Sequence, residues 1–410
     1  MPPVAALVSF RLGGPDGVSV QAATWGRALE RLGFDVRRAA GELTDGARPG
    51  DVVVPGLAVA TEAAPGPEGQ RPARTAPPSR DELHAALAGA EAVVIENLLS
   101  LPLNLAASRV LTSVLADLPP ATSVVLHHHD LAWQRAELAS ITELPPRLPR
   151  AVHVAINDFS RNELAERGIE ATTVRNAFDL DAPCGRRADT RAALRLGDDD
   201  VLLLQPTRAI ARKNIPAALR LAEGLAARLS APVRYWLPGP AEDGYATTLE
   251  ALLADARVPV LRTPPGALRL ASGPPAGMAD AYAASDLVLF PSTEGEGFGQ
   301  PVIESVGAGR PLAVASYPAL EEILALGFSF LPVGDPDAVV RALRRPDLAL
   351  AERNLSLARA HFSLDALVEQ LRPLVARRTG SPTRQTAGAA SPLADEERAV
   401  EARQNDQPLQ

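Results

Sequence analysis

The chain has 410 residues, long enough for two domains with full hydrophobic cores. Hydrophobic residues make up 46% and charged residues 22%, an ordinary globular balance, and a net charge of -8 offers no global attraction to nucleic acid or an anionic membrane. A single cysteine, Cys184, excludes a disulfide framework within the chain and fits a reducing, cytoplasmic setting. The first residues do not read as a signal peptide, and no run of about 18 apolar residues occurs, so no transmembrane segment is expected.

Short apolar runs alternate with amphipathic ones. Strands are expected at Ala5–Phe10, Ala92–Ile95, Ser123–Leu126 and His153–Ile156, with helices at Val18–Leu32, Asp81–Leu87, Leu103–Leu115 and Arg161–Arg167 between them. Thr61–Ser79, rich in Pro, Gly and Glu, reads as a long mobile loop. The pattern restarts after the polar stretch Arg186–Asp200. Strands follow at Val201–Gln205, Val233–Leu237, Val258–Leu261, Leu287–Phe290, Leu312–Ala315 and Phe328–Pro332, with helices at Ile215–Leu229, Tyr245–Ala254, Pro301–Gly307, Ala319–Leu326 and Ala338–Leu343. A last helix is expected at Leu364–Ala376. This alternation implies an α/β fold of two Rossmann-like domains with parallel sheets, over residues 1–185 and 186–376, joined near Cys184–Asp200. Residues 377–410 turn polar and are expected to be disordered.

The strongest motif is the string from Phe290 to Glu304, which follows a buried strand and opens a helix. Gly297 and Gly299 allow close backbone approach, and Pro301 suits a first helical turn. Free amides around Gly299 and Gln300, with the helix dipole behind them, suit a diphosphate. Glu296 and Glu304 bracket the loop, and carboxylates accept from sugar or ribose hydroxyls. A glycine-rich turn with exposed glutamates is the plainer alternative.

The second motif, Pro206–Asn214, follows the strand Val201–Gln205 and carries Arg208, Arg212 and Lys213. Lys213 is the only lysine among 41 basic residues. A composition so biased toward arginine should have lost a lysine on a plain solvated face, so its retention points to a site that a guanidinium does not fit. Arg212 is expected to be solvated. The third motif, Arg11–Ser19, joins the first strand to the first helix; its glycines Gly13, Gly14 and Gly17 lack dinucleotide-fingerprint spacing.

The fourth motif is Leu126–Arg135, with His127, His128 and His129 in succession at a strand end. Strand alternation sends His127 and His129 to one side and His128 to the other. No cysteine or carboxylate cluster at a known zinc spacing accompanies them, so a structural cluster or a ligand contact stands ahead of a metal. Glu96 and Asn97 end another strand and are read as acceptor contacts or as a helix cap. The pairs Asp179–Asp181 and Asp335–Asp337 sit in the linker and before a helix, so neither reads as a metal motif.

The segment from Ala284 to Pro311 resembles the donor site of family 4 of the retaining glycosyltransferases, whose two glutamates are separated by seven residues, as Glu296 and Glu304 are. Arg208 and Lys213 match the cations that grip the donor phosphates there, and Asn157–Ser160 and Arg175–Asp179 resemble family segments leading to the linker. The resemblance spans Ala5 to Ala376 and implies a GT-B architecture with sheets facing across a cleft and the last helix packing back on the first domain. It implies a retaining hexosyltransferase of the EC 2.4 class that uses a UDP- or GDP-linked sugar and an unidentified acceptor, with no cofactor and no obligatory metal. Glu296, His129, Arg208 and Lys213 would be catalytic. Gly17, Gly297, Phe298, Gly299, Gln300 and Glu304 would join Arg208 and Lys213 on the donor, with Glu304 on the ribose. Glu96, Asn97 and His128 would face the acceptor. Glu294, two residues before Glu296, allows a slipped register. A GT-B epimerase or phosphorylase and a non-catalytic nucleotide-sugar-binding protein are the alternatives.

Overall fold

The computed structural model describes residues 2–14, 16–60, 76–135, 138–182, 185–242, 244–293 and 295–376. Most of the loop expected at Thr61–Ser79, the tail expected from residue 377, Cys184 and Glu294 lie outside the described residues.

One parallel sheet contains β1 (Val4–Leu12), β2 (Asp35–Leu43), β3 (Val52–Val53), β4 (Ala90–Glu96), β5 (Ser123–His128), β6 (Ala151–Ala155) and β7 (Ala171–Thr173). The other contains β8 (Val201–Leu204), β9 (Val233–Trp236), β10 (Val260–Leu261), β11 (Leu287–Phe290), β12 (Leu312–Val314) and β13 (Leu331–Pro332). Central strands such as Val-Leu-Leu-Leu in β8 and Leu-Val-Leu-Phe in β11 are apolar throughout because helices cover both faces. Strand order is β3-β2-β1-β4-β5-β6-β7 in the first sheet and β10-β9-β8-β11-β12-β13 in the second. Order reverses between β1 and β4 and again between β8 and β11. Crevices for ligands form beyond the carboxyl ends of strands at such points.

The first-half helices are α1 (Gly17–Arg31), α2 (Arg80–Ala86), α3 (Leu105–Asp117) and α4 (Asp158–Glu166). Then follow α5 (Arg187–Ala193), α6 (Ile215–Ala226), α7 (Ala246–Ala254), α8 (Met278–Ala284), α9 (Gln300–Gly307), α10 (Pro318–Ala325), α11 (Pro336–Arg344), α12 (Leu348–Phe362) and α13 (Leu364–Val375). The last of these leaves the second half: Leu367, Leu371 and Val375 pack with Trp25, Leu29 and Val125 of the first. Burying each such side chain contributes about 1.5–3 kcal/mol, so α13 straps the halves together.

Six elements, β2, β3, β7, α5, α8 and α12, depart from expectation. Strand β2 carries the buried Arg38, held by Asp45 and Asp51, which masks its alternation. Helices α8 and α12 were not anticipated. Helix α5 lies inside the stretch read as a linker. Its arginines explain why: Arg187 donates to the carbonyls of Ala283, Ala284 and Ser285 at the end of α8, and Arg186 pairs with Asp280. The stretch is thus docked on the second half.

The two carboxyl-end edges meet. Gln300 Nε2 donates to Gly17 O at 3.3 Å, Asn157 Nδ2 donates to Gly297 O, and the amide of Asp158, opening α4, donates to the Glu322 carboxylate of α10 at 2.7 Å. Among the described residues no helix is long and apolar enough to cross a membrane.

Candidate active site

The second half contributes two turns, after β8 and β11. Beyond β8, Gln205 accepts from the Tyr235 hydroxyl at 2.6 Å and donates to the Lys213 carbonyl at 2.8 Å. That fixes a 3-10 turn over Ala211–Lys213, which ends in the left-handed Asn214 (φ 48°) before α6 begins. The turn presents two neighbouring cations to one carboxylate: Arg212 Nη1 lies 2.8 Å from Glu296 Oε2, and Lys213 Nζ bonds the same oxygen. Lys213 is buried over the Phe290 ring, with its ammonium 4.9 Å from the ring centroid. Burial pulls the Lys213 pKa down; Glu296 opposes this, and Arg212 and Arg208 add to it.

The expectation that Arg212 is solvated holds only in part: its side chain stays 34% exposed, but the turn rotates its guanidinium onto Glu296. Arg208 diverges instead, its guanidinium bonding Glu242 at 2.6 Å on the surface. The structure brings Glu296 and Lys213 together and leaves Arg208 beside them rather than on the shared carboxylate.

After β11 the glycines are tied to their neighbours. Gly299 has φ 82°, and a Cβ there would stand 2.2 Å from the Tyr317 hydroxyl and 2.7 Å from the Phe290 ring. That hydroxyl donates to the Phe298 carbonyl at 3.0 Å, and Phe298 itself is buried in the second core. A Cβ on Gly297 would meet the His129 carbonyl at 3.2 Å, so this glycine lets the loop touch the first half. One turn into α9, Glu304 accepts from the Tyr282 hydroxyl at 2.5 Å, and burial pushes its pKa up.

The first half contributes the ends of β1, β4 and β5. Asp16 caps α1 by accepting from the Ser19 amide at 3.2 Å and hydroxyl at 2.8 Å, leaving Gly17 against Gln300. At β5 the alternation holds. His127 Nδ1 and His129 Nε2 reach Glu96 Oε2 at 2.7 and 2.8 Å, while His128 turns away to Ser100 (2.6 Å) and His153 (3.0 Å). Trp25 stacks on His127 at 4.0 Å.

Three acceptor assignments change accordingly. Glu96 and His128 are enclosed, and Asn97, with a left-handed φ of 59°, uses its side-chain Oδ1 to accept from the backbone amides of His129 and Asp130, both at 3.1 Å. They hold the β5 end in place rather than face a substrate. Glu96, His127 and His129 have ligand atoms within 4.8 Å of one another, a convergence invisible in the sequence because Glu96 comes from a different strand. Both imidazoles bond one carboxylate oxygen directly. The two Asp-x-Asp pairs are otherwise engaged: Asp179 with Arg27, Asp181 with Arg359, Asp335 as the cap of α11 and Asp337 with Arg228.

Sequence reasoning missed Tyr282, Tyr317, Trp25 and the crossing contact from Asn157. For Arg212 the available signal was its place beside Lys213.

A pH response follows from His128 and His153. Burial holds both below the usual histidine range, His153 at about 4, and His153 adds repulsion on His128. Below pH 6.5 the unfolded chain takes up protons that the folded pair does not, so stability falls as pH drops from 6.5 toward 4. For His153 alone this amounts to about 3 kcal/mol in all. The denaturant midpoint should therefore drop between pH 7 and pH 4.5, and His153→Phe should flatten part of that slope. Equal midpoints at the two pH values would contradict the burial of this pair.

Comparison with known proteins adds three likenesses, and no family model matches the chain. The mannosylglucosylglycerate synthase of Thermotoga maritima is 26% identical over 297 residues, spanning 60% of this chain and 68% of that protein. Sucrose-phosphate synthase from Thermosynechococcus elongatus superposes with TM-score 0.60 at 17% identity, covering 91% of this chain and 98% of that one. Anabaena HepE in complex with UDP-glucose gives TM-score 0.61 at 17% identity, covering 90% and 98%. The fold is the two-domain α/β GT-B fold of these structures, and the likeness to the synthase supports a transferase of the EC 2.4 class.

Proposed function

We propose that the protein transfers a hexose from a nucleoside-diphosphate sugar to a small hydroxylated acceptor, with retention at the anomeric carbon. The observation that carries this reading is the meeting of both strand-end edges around Glu296, Lys213 and the N-terminus of α9. The cations and the helix dipole suit the diphosphate, and Glu296 and His129 suit the sugar. Glu304 is read as the ribose contact. In this scheme the acceptor oxygen attacks the anomeric carbon on the face from which the diphosphate departs. The C–O bond to phosphate breaks as the new C–O bond forms, and the acceptor proton passes to a departing phosphate oxygen. No side-chain nucleophile is needed.

The named relative suggests the panel: UDP- and GDP-linked glucose and mannose as donors, with glucosylglycerate among small acceptors. Acceptor-dependent release of nucleoside diphosphate is the expected result. Release without acceptor and without a glycosylated product would point to hydrolysis or epimerisation, and binding with no turnover to a non-catalytic protein. Because Lys213, with Arg208 beside it, and the amides opening α9 supply positive charge for the diphosphate, no obligatory metal is part of this reading. Turnover should survive EDTA, whereas loss on chelation that manganese restores would sink the metal-free scheme.

A further inference from the structure

Arg212 and Lys213 are consecutive residues on one turn, and both bond a single oxygen of Glu296. Two cations therefore share one carboxylate, and the cluster keeps one excess positive charge. The seat is enclosed, with the side chains of Lys213 and Glu296 9% and 10% exposed. The backbone ties the same two turns together: the Arg212 carbonyl accepts from the Thr293 amide at 3.0 Å and from its hydroxyl at 3.3 Å. The nearby Glu242 is already engaged by Arg208.

We propose that Arg212 and Lys213 together form an anion seat for the donor's diphosphate, and that the Glu296 carboxylate competes for it. The proposal rests on the nucleotide-sugar reading above and adds a phosphate-binding role for Arg212. A diphosphate brings more negative charge than one carboxylate to a cluster with one cation in excess, and water exclusion strengthens that difference. Arg212 can also offer a planar fork of N–H donors to phosphate oxygens, where Lys213 acts as a point charge. When the diphosphate takes the seat, Glu296 is released to accept from a sugar hydroxyl. Arrival of the phosphates thereby switches the carboxylate from counter-ion to sugar contact.

The competition has an unusual signature: removing a presumed substrate-binding charge should tighten binding of part of the substrate. Calorimetry with UDP, GDP and inorganic pyrophosphate on the full-length protein reads this directly. Glu296→Gln is expected to bind the tighter of the two nucleotides, and pyrophosphate, roughly tenfold more strongly than wild type, the equivalent of about 1.4 kcal/mol, while its sugar transfer falls. Arg212→Gln, at a half-exposed position, is expected to fold normally and to bind pyrophosphate roughly tenfold more weakly. Wild type that binds a nucleotide, with Glu296→Gln binding it no better, would overturn the competition. Unchanged pyrophosphate affinity in Arg212→Gln would overturn the seat, even if Glu296→Gln fails to fold. If wild type binds none of the three ligands, the nucleotide-sugar reading itself falls.

Discussion

Lys213→Ala should lower kcat/KM by about 10²–10³ while the protein stays folded, because one preorganised charge at a developing anion typically accounts for that much. The leaving diphosphate gains charge as the glycosidic bond breaks, and the Lys213 ammonium is held before the donor arrives. Its backbone carbonyl is fixed by Gln205, and its side chain is bounded by the Phe290 ring, Arg212 and Glu296. Lys213→Arg separates charge from shape. The charge survives, but a wide planar guanidinium must enter a buried seat already beside a second one. We expect it to lose at least roughly tenfold in turnover, on the same electrostatic argument. Arg208→Ala should lose less than Lys213→Ala, since Arg208 spends its guanidinium on Glu242 at the surface. Steady-state nucleotide release and thermal unfolding of each variant check these outcomes. A fully active Lys213→Ala protein would remove Lys213 from the site.

The parts of this site readable from the sequence are those set by local chemistry. Gly299 advertises itself because no other residue suits a left-handed backbone under the Tyr317 hydroxyl. The His127, His128, His129 alternation is a property of any strand, and it survives folding. What escaped depends on the path of the chain. Arg212 and Lys213 point the same way only because a tight turn and the left-handed Asn214 intervene before α6. Glu96 reaches His127 only because β4 and β5 pair with those two residues in register. Helix α12 hid for a different reason: it buries Asn354, Ala358 and Phe362, one residue per turn, and leaves Leu348 exposed, so its apolar stripe is too thin to show. In α5 the arginines that made the sequence look like a solvated linker are the groups that dock it, through carbonyls at the end of α8.

Glu96→Ala should be among the most damaging substitutions to stability in the first half, because it leaves two buried imidazole N–H groups without their acceptor, each at about 1–3 kcal/mol. Glu96 is fully buried, and Oε2 takes hydrogen bonds from two imidazoles. Its other oxygen and His127 Nε2 have no partner among the described residues, so the cluster already sits close to the limit of satisfaction. Burial alone would push this carboxyl up. The His127 and His129 contacts outweigh it and hold the pKa at about 2. Burial keeps the His127 pKa low, so the pair is read as a carboxylate accepting from a neutral ring. The sign follows. A depressed acid contributes stability that is complete above its unfolded value near 4.5 and is lost as pH falls toward 2, about 3 kcal/mol over that window. Glu96→Gln keeps the shape and one acceptor oxygen, and its amide group can occupy the unpartnered side. It should therefore cost less than Glu96→Ala and should abolish this acid-dependent loss below pH 4.5. Denaturant midpoints of the three proteins at pH 7 and pH 3.5 make the comparison. A Glu96→Ala protein as stable as wild type would mean that the histidines do not depend on this carboxylate. Because His129 stands on the same oxygen and its carbonyl packs on Gly297, loosening Glu96 should also reduce turnover in protein that remains folded.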